Sequence, residues 1–86
     1  MLKIEVHSRI NEKRPDISDD DVVTAWRNAI SMRQRDPDFP DYYAAAGFDT
    51  MGRLLQMIAV VSKRGDALIV YHAMPVTRKM RRELNL

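Results

Sequence analysis

Two apolar runs separated by a short polar segment dominate the second half of the chain. One run covers residues 53–61, which begin with Arg53 and are interrupted by the polar Gln56, and the other covers residues 67–74, in which His72 is polar. Near-continuous apolar runs of this length are typical of strands covered on both faces. The polar residues 62–66 between them contain Gly65, which supplies the positive φ of a tight turn. The pattern therefore predicts a β-hairpin.

The beginning of the chain combines two periodicities. Apolar residues alternate over residues 2–6, as in a strand, whereas Val6 and Ile10 have the four-residue spacing of one helix face. We predict a short strand over residues 2–6 and a helix over residues 7–14. Pro15 ends that helix, because its ring cannot continue helical geometry.

The next segment predicts a second, longer helix. Ser18 and Asp21 have the spacing of a capping box, and acidic side chains favour the positive end of the helix dipole. The residues that follow at helical spacing are Val22, Trp26, Ala29, Ile30 and Arg33. We predict a helix from Ser18 to about Met32 or Gln34, with Trp26 in the core.

Prolines and turn residues divide the rest of the chain. Residues 35–41, RDPDFPD, predict an exposed loop, and residues 42–48 predict a strand joined to the hairpin by a turn at residues 49–52. Pro75 ends the hairpin because it has no N–H for the strand ladder, and residues 76–84 predict a short helix. The order β-α-α-β-β-β-α indicates an α+β domain, with a small antiparallel sheet, two N-terminal helices packed on it and a short C-terminal helix.

Composition limits the classes of protein to consider. The chain has 86 residues, no cysteine and two histidines that lie far apart. We therefore expect one domain over residues 1–86, without disulfides, a resident metal or a cofactor. No apolar run approaches the roughly 20 residues that span a bilayer, and the first residues lack the apolar core of a signal peptide. These features predict a cytoplasmic protein without a membrane partner.

Positive charge is concentrated after the midpoint of the chain. Residues 1–43 hold seven Lys/Arg and nine Asp/Glu, a balance of −2, whereas residues 44–86 hold seven Lys/Arg and three Asp/Glu, a balance of +4. This distribution is expected of a protein that binds a polyanion. The alternative is an uneven distribution of surface charge without a ligand, which would give the same counts.

His72 is the candidate for proton transfer. An imidazole has an unperturbed pKa of about 6.5, so it can accept and return protons near neutral pH. Strict alternation along the strand places His72 on the same face as Val70, close to the strand end and to a basic segment. The alternative is a histidine whose ring merely bonds a backbone carbonyl at the edge of the sheet.

Candidate phosphate ligands follow this histidine in the last helix. Arg78 and Arg82 lie four residues apart on one helix face, and guanidinium groups bind phosphate through paired hydrogen bonds. Lys79 and Arg81 extend the same basic surface. The alternative is a solvated helix face on which Glu83 pairs with Lys79.

Three further side chains are assigned from expected geometry. Antiparallel pairing is expected to set His72 opposite Leu55, which brings Arg53 near the histidine. His7 and Arg9 flank the predicted start of the first helix, whose N–H groups favour anions, so they are assigned to the same site. An exposed helix start is the alternative for this pair.

Several short motifs occur in the order found in one family of bacterial toxins. These motifs are Ile17-Ser18, Asp20-Asp21-Val22, Gly52-Arg53-Leu54-Leu55, Arg64-Gly65-Asp66, Ala73, Thr77-Arg78-Lys79 and Arg81-Arg82-Glu83. Through them residues 52–83 resemble the BrnT toxins of the RelE/ParE superfamily, with weaker similarity before residue 52. The chain differs from the usual pattern of that family at His72 and Met74, where those toxins carry a serine and an arginine.

The resemblance implies a function and partners. It implies a RelE/ParE-like fold and a metal-independent endoribonuclease that cleaves mRNA and inhibits translation, as the toxin of a type II toxin–antitoxin pair. The cognate antitoxin would be a small DNA-binding protein, and a homo-oligomer within the toxin–antitoxin complex stays open. Two alternatives also stay open: a non-enzymatic ParE-like toxin that binds a protein target such as DNA gyrase, and a nucleic-acid- or protein-binding module without catalysis.

The residues and the resemblance together lead to one hypothesis, which is RNA cleavage by attack of the ribose 2′-hydroxyl on its own 3′-phosphate. His72 is assigned as the general acid or base. Arg78, with Arg53 or Arg82, is assigned to stabilise the charge that develops on phosphorus. The remaining assigned RNA ligands are Arg81, Lys79, His7 and Arg9.

Overall fold

Five strands and three helices make up residues 2–86, the part of the chain that the computed structural model describes. In chain order these elements are β1 (Lys3–Val6), α1 (Ser8–Lys13), α2 (Asp19–Arg27), β2 (Ala29–Asp36), β3 (Phe39–Phe48), β4 (Leu54–Val61), β5 (Ala67–Pro75) and α3 (Arg78–Glu83). The predicted α+β class is confirmed. One strand, β2, is additional to the predicted order. Within residues 2–86, no helix is long and apolar enough to cross a membrane.

The strands form one sheet of mixed direction, in the order β1-β5-β4-β3-β2. The neighbours from β2 to β5 are antiparallel, whereas β1 runs parallel to β5, with Ile4 opposite Leu68. The predicted antiparallel sheet is therefore wrong at this edge. A parallel pair needs a long connection, and here two helices and three strands lie between β1 and β5.

α2 begins as predicted and ends early. The Asp21 N–H donates to Ser18 Oγ at 3.1 Å, and the Ser18 N–H donates to Asp21 Oδ2 at 3.0 Å, so the predicted capping box is confirmed. The helix ends at Arg27, and the predicted end at Met32 or Gln34 is wrong.

β2 lies where the sequence predicts the last turns of that helix. Residues 29–36 pair with β3, and Ile30 lies at a register shift between Ala29 and Ser31. In so short a segment, helical spacing and strand alternation select overlapping sets of residues. Residues 29–36 form a strand because their backbone groups bond to β3. Those bonds depend on the pairing partner, which the spacing of residues within this segment does not reveal.

The predicted loop over residues 35–41 is also wrong. A tight hairpin occupies this segment, and only Pro37 and Asp38 connect β2 to β3. The Asp38 N–H donates to Asp36 Oδ1 at 2.9 Å, a side-chain contact that stabilises such turns. Pro40 lies inside β3 where the register with β2 is irregular, and a missing N–H is tolerated there.

Each face of the sheet carries its own hydrophobic cluster. On the face covered by α1 and α2, here the α1–α2 face, the buried residues are Ile10, Ile17, Val22, Ala25, Trp26, Ala45, Leu55, Met57, Ala59, Leu68, Val70 and Ala73. On the opposite face, here the α3 face, they are Ala44, Ala46, Ile58, Met80 and Leu84. The predicted burial of Trp26 is confirmed. The three helices therefore stabilise the sheet from both sides.

Gly47 allows α2 to approach the sheet closely. A β-carbon at this position would lie 1.9 Å from the carbonyl oxygen of Ala25. That oxygen belongs to the helix backbone and cannot move away without moving α2, so only glycine fits. The position of α2 over β3 therefore depends on Gly47.

Candidate functional site

A β-bulge in β5 determines which way His72 points. Val70 pairs with Ala59 and His72 pairs with Ile58, so Tyr71 is an extra residue in β5. A bulge interrupts the alternation of side chains between the two faces. Val70 packs on the α1–α2 face, whereas Tyr71 and His72 lie on the α3 face. The prediction that His72 shares a face with Val70 is therefore wrong.

Gln56 of β4 holds the His72 ring in a defined tautomer. Gln56 Oε1 accepts hydrogen bonds from the Thr77 backbone N–H at 2.8 Å and from the Thr77 hydroxyl at 3.0 Å. The amide nitrogen Nε2 of Gln56 therefore lies 3.3 Å from His72 Nε2. Because an amide N–H₂ group only donates, His72 Nε2 accepts with its lone pair and the ring proton is on Nδ1.

The surroundings of His72 keep its ring neutral. Burial lowers the pKa of His72, and the positive charges of Arg35, Arg9, Lys13 and Arg14 lower it further. Protonation would also set the ring N–H against the N–H of Gln56. The imidazole therefore retains its lone pair near pH 7, which is the form required of a general base.

Two adjoining cavities meet at His72. The first, here the histidine cavity, has a volume of about 350 Å³, and the second has a volume of about 320 Å³. The charged residues that line the two cavities are Arg9, Lys13, Arg14, Arg35, Lys79 and Glu83. Five cationic side chains thus face a single carboxylate, an imbalance that favours an anionic ligand.

The sheet edge explains how α1 supplies a cation to this site. β1 ends at Val6, which pairs with Val70, so among residues 2–86 no strand covers the edge of β5 beyond that pair. The His7 N–H donates to the Val70 carbonyl at 2.8 Å, and α1 then packs beside the exposed part of β5. Arg9, in the first turn of α1, lines both cavities.

Arg35 connects β2 to the end of α3. Its Nε lies 3.3 Å from Glu83 Oε2, and the neighbouring Arg33 donates to the Glu83 carbonyl at 2.6 Å. This carbonyl is at the helix C-terminus, where no helical N–H reaches it. Glu83 therefore pairs with Arg35, whereas the sequence suggested Lys79.

α3 directs most of its cations away from His72. Arg78, Arg81 and Arg82 are exposed and line neither cavity, whereas Lys79 lines the histidine cavity. Thr77 Oγ1 accepts a hydrogen bond from the Met80 N–H at 3.2 Å, which caps the helix start. Of the four C-terminal cations, the structure brings Lys79 to the histidine.

Of the two N-terminal residues assigned to the site, His7 and Arg9, the structure places one at the cavities. Arg9 lies at the site, but His7 caps α1. His7 Nδ1 accepts a hydrogen bond from the Arg9 N–H at 3.1 Å, and the exposed His7 ring lines neither cavity. His7 thus serves the start of the helix.

Arg53 lies away from His72. Leu55 pairs with Pro75, and His72 pairs with Ile58, so the predicted pairing of His72 with Leu55 is wrong. The bulge accounts for one residue of this difference, because without it His72 would pair with Met57. The other two residues come from the position of the turn, which sets Val61 opposite Leu68. Arg53 lines neither of the cavities at His72.

Arg53 instead forms ion pairs with three aspartates. Its guanidinium nitrogens lie 2.7 Å from Asp49 Oδ2, 3.2 Å from Asp21 Oδ2 and 3.1 Å from Asp16 Oδ2. We call these four residues the aspartate–arginine cluster. The hydrogen bond to Asp49 raises the pKa of Arg53, and a hydrogen bond from the Thr50 hydroxyl is the main cause of the lowered pKa of Asp21. The cluster joins the start of α2 to the turn between β3 and β4.

The sequence assignments omit several residues of the histidine cavity. Arg35 lies in the segment predicted as a loop, and the position of Tyr71 depends on the bulge. Gln56 carries a usable signal, because a single polar side chain in a buried strand needs hydrogen-bond partners. Thr77 and Glu83 reach the cavity only through the packing of α3 against the sheet.

Comparisons of the chain with protein-family models, with curated proteins and with solved structures find no match. Within residues 2–86, no three His, Cys, Asp or Glu side chains are grouped so that they could hold a metal ion. The function is therefore inferred from the geometry and chemistry of the cavity residues.

Proposed function

We propose that this protein is the toxin of a type II toxin–antitoxin pair and acts as a metal-independent endoribonuclease on mRNA. The observation that carries the proposal is that Arg9, Arg35 and Lys79, from three separate elements, line one cavity with His72. Burial, and then the charges of Arg35 and Arg9, lower the pKa of His72. An imidazole can take up a proton while fixed cations stabilise negative charge on phosphorus. The toxin role, the antitoxin partner and a RelE/ParE-like fold are supported by the resemblance to the BrnT toxins.

In the proposed reaction the ribose 2′-oxygen attacks the adjacent phosphorus, and the bond from phosphorus to the 5′-oxygen of the next nucleotide breaks. His72 Nε2 accepts the proton of the 2′-hydroxyl, replacing its long 3.3 Å contact with Gln56. The departing 5′-oxygen takes a proton from water, and the hydroxide that remains takes back the proton held by His72. The products are a strand that ends in a 2′,3′-cyclic phosphate and a strand that begins with a 5′-hydroxyl.

The cations divide between two tasks in this proposal. Arg9, Arg35 and Lys79 stabilise the charge on the phosphorus under attack. The exposed guanidinium groups of Arg78 and Arg82 would contact phosphates outside the cavity and hold a longer strand by charge.

The reaction is tested with purified protein, labelled single-stranded RNA and EDTA. We expect cleavage with 2′,3′-cyclic phosphate ends, and none of the same sequence carrying 2′-O-methyl groups, because the nucleophile is then blocked. Cleavage of the 2′-O-methyl strand would contradict the mechanism. Intact RNA under all conditions would exclude the ribonuclease.

The toxin role is tested separately by expression in a bacterial host. We expect growth arrest that is relieved when the adjacent open reading frame is expressed as well. Arrest without any RNA cleavage would favour the alternative toxin, which binds a protein target such as DNA gyrase. Unimpaired growth would contradict the toxin assignment.

A further inference from the structure

A row of three aromatic side chains leads from the β2–β3 hairpin to the histidine cavity. The ring centroids of Phe39 and Tyr42 lie 6.0 Å apart, and those of Tyr42 and Tyr71 lie 6.2 Å apart. Tyr71 also lines the histidine cavity. We call Phe39, Tyr42 and Tyr71 the aromatic row, and it is continuous with the proposed catalytic site.

The row is unusually open for large apolar side chains. Phe39 is 58% exposed and Tyr42 is 37% exposed. Adjacent rings meet at interplanar angles of 80°, so each contact covers at most one face of one ring. Phe39 makes one of these ring contacts and keeps a flat face accessible, and the exposed fraction of Tyr42 leaves part of its ring open to solvent. Burying this apolar surface against a ligand would be favourable.

Positive charge lies at the inner end of this row. Arg35 and Arg9 line the cavity beside Tyr71. Burial raises the pKa of Tyr71 and these two cations oppose that shift, whereas burial lowers the pKa of His72 and the same cations lower it further. Their charge complements an anion that reaches the cavity along the row. A flat aromatic surface beside a cationic groove is the combination with which proteins bind single-stranded nucleic acid.

We propose that Phe39 and Tyr42 stack on bases of a single-stranded RNA whose scissile phosphate lies in the histidine cavity. The proposal rests on the proposed ribonuclease function and specifies its substrate as an unpaired strand. Bases in a duplex are stacked on one another and cannot also stack on Phe39 and Tyr42, so a duplex contacts the protein through phosphates alone. The row thus selects unpaired RNA without requiring a particular sequence.

The test measures the affinity of the whole protein for a short 2′-O-methyl RNA that cannot be cut. Stacking of a base on an aromatic ring contributes favourably to the free energy of binding. We therefore expect Phe39→Ala and Tyr42→Ala each to raise the Kd for RNA by between about 5- and 150-fold. Tyr42→Phe, which keeps a ring, should restore affinity. Phe48→Ala is the matched control, because Phe48 is an exposed phenylalanine (45% exposed) at the other end of β3.

A second probe separates stacking from contact with phosphates. An abasic strand of the same length keeps its phosphates and lacks the rings, so wild type should bind it weakly and Phe39→Ala should bind it equally weakly. If Phe39→Ala and Tyr42→Ala bind the ordinary strand as wild type does, the stacking proposal is wrong and the ribonuclease proposal stands. If wild type binds no RNA at all, both proposals fail. Preferential binding of a peptide or of duplex RNA would also overturn the stacking proposal.

Discussion

The aspartate–arginine cluster and the histidine cavity use the same kinds of charged side chain in opposite ways. In the cluster, the single guanidinium of Arg53 faces three carboxylates at 2.7 to 3.2 Å. Around His72, five cations face the single carboxylate of Glu83, and within residues 2–86 Arg9 and Lys79 make no ion pair. In the first arrangement carboxylates fully compensate the positive charge of Arg53, whereas the second leaves positive charge available for a ligand.

This difference shows that an arginine in sequence does not by itself indicate a binding site. Arg53 lies within the Gly52–Leu55 motif of the hairpin, yet its partners are aspartates just before α2, in its first turn and in the β3–β4 turn. Arg35 lies in a segment without a motif, yet it lines the cavity. What distinguishes the two arginines is the number of carboxylates that the fold brings to each.

The largest expected effect is that of His72→Ala on RNA cleavage. Loss of a general base typically lowers the rate by about 100- to 10,000-fold, and the thermal melt should change little because the ring is half-buried. The measurement is the initial rate of cleavage of labelled RNA. His7→Asn keeps a capping side chain at α1 and should retain the wild-type rate. A wild-type rate for His72→Ala would remove the ring from the mechanism.

Arg35→Ala should weaken binding of the uncleavable RNA at least about tenfold, because a charge-assisted contact is lost. It should also reduce the slope of log affinity against log salt by about 0.7, the contribution of one phosphate contact on a single strand. A matched variant is Arg64→Ala, in the exposed turn between β4 and β5. Equal losses in both variants would mean that affinity reflects overall charge.

Arg53→Ala should act on stability and leave RNA binding intact. Without the guanidinium, the buried carboxylates of Asp49 and Asp21 have no counter-ion, which is strongly destabilising. We expect Tm to fall by about 5 °C or more. Arg53→Lys should recover part of the loss through a single ion pair. An unchanged Tm together with weaker RNA binding would reverse the assignments of the two regions.

Gln56→Glu should raise the pKa of His72, because a carboxylate favours the protonated ring and can still accept from Thr77. In the wild type the pKa of His72 is lower in the folded state than in the unfolded chain. As the pH falls below about 6.5 the unfolded chain takes up a proton on this ring before the folded protein does, so the free energy of unfolding decreases. Gln56→Glu should lose less stability than the wild type as the pH falls below about 6.5. NMR titration of the imidazole, with His7→Asn used for assignment, checks the direction of the shift. A lowered pKa in the variant would contradict the tautomer.

The smallest effect concerns Asp21 in acid. Its pKa is lowered by the Thr50 hydroxyl and by the Ser18 N–H, so its contribution to stability is present above about pH 4 and is lost as the pH falls through the folded-state pKa. Asp21→Asn should flatten the decline of stability below pH 4, as measured by urea unfolding. Asp19→Asn, which changes an exposed carboxylate in the same helix turn, should preserve the decline.

Local features of the fold were predictable from sequence. The β4–β5 hairpin, the Ser18–Asp21 capping box and the buried Trp26 all agree with the sequence patterns, and Gly65 has the predicted positive φ of 73°. Each depends on residues close together in the chain. The end of α2 was not predictable, because helical spacing beyond Trp26 overlaps with the alternation of β2.

The candidate site was predictable only in part. Arg9, Lys79 and His72 were assigned and do line the histidine cavity. Arg53 was assigned to the site and lies elsewhere, whereas Arg35 was predicted only to lie in an exposed loop and lines the cavity. The reason is strand pairing. One extra residue in β5 turns His72 to the α3 face, and the pairing of β2 with β3 places Arg35 in the sheet; the local sequence pattern reveals neither.

By itself, the sequence determined the α+β class, the hairpin, the Ser18–Asp21 capping box and the presence of an imidazole near a basic segment, because spacing and side-chain chemistry act over a few residues. Only the tertiary structure decided that β2 is a strand, that His72 faces α3, and that Arg9, Arg35 and Lys79 lie around it while aspartates compensate Arg53. These outcomes depend on strand pairing between distant segments. Such pairing sets both the face of each side chain and the charges that surround it.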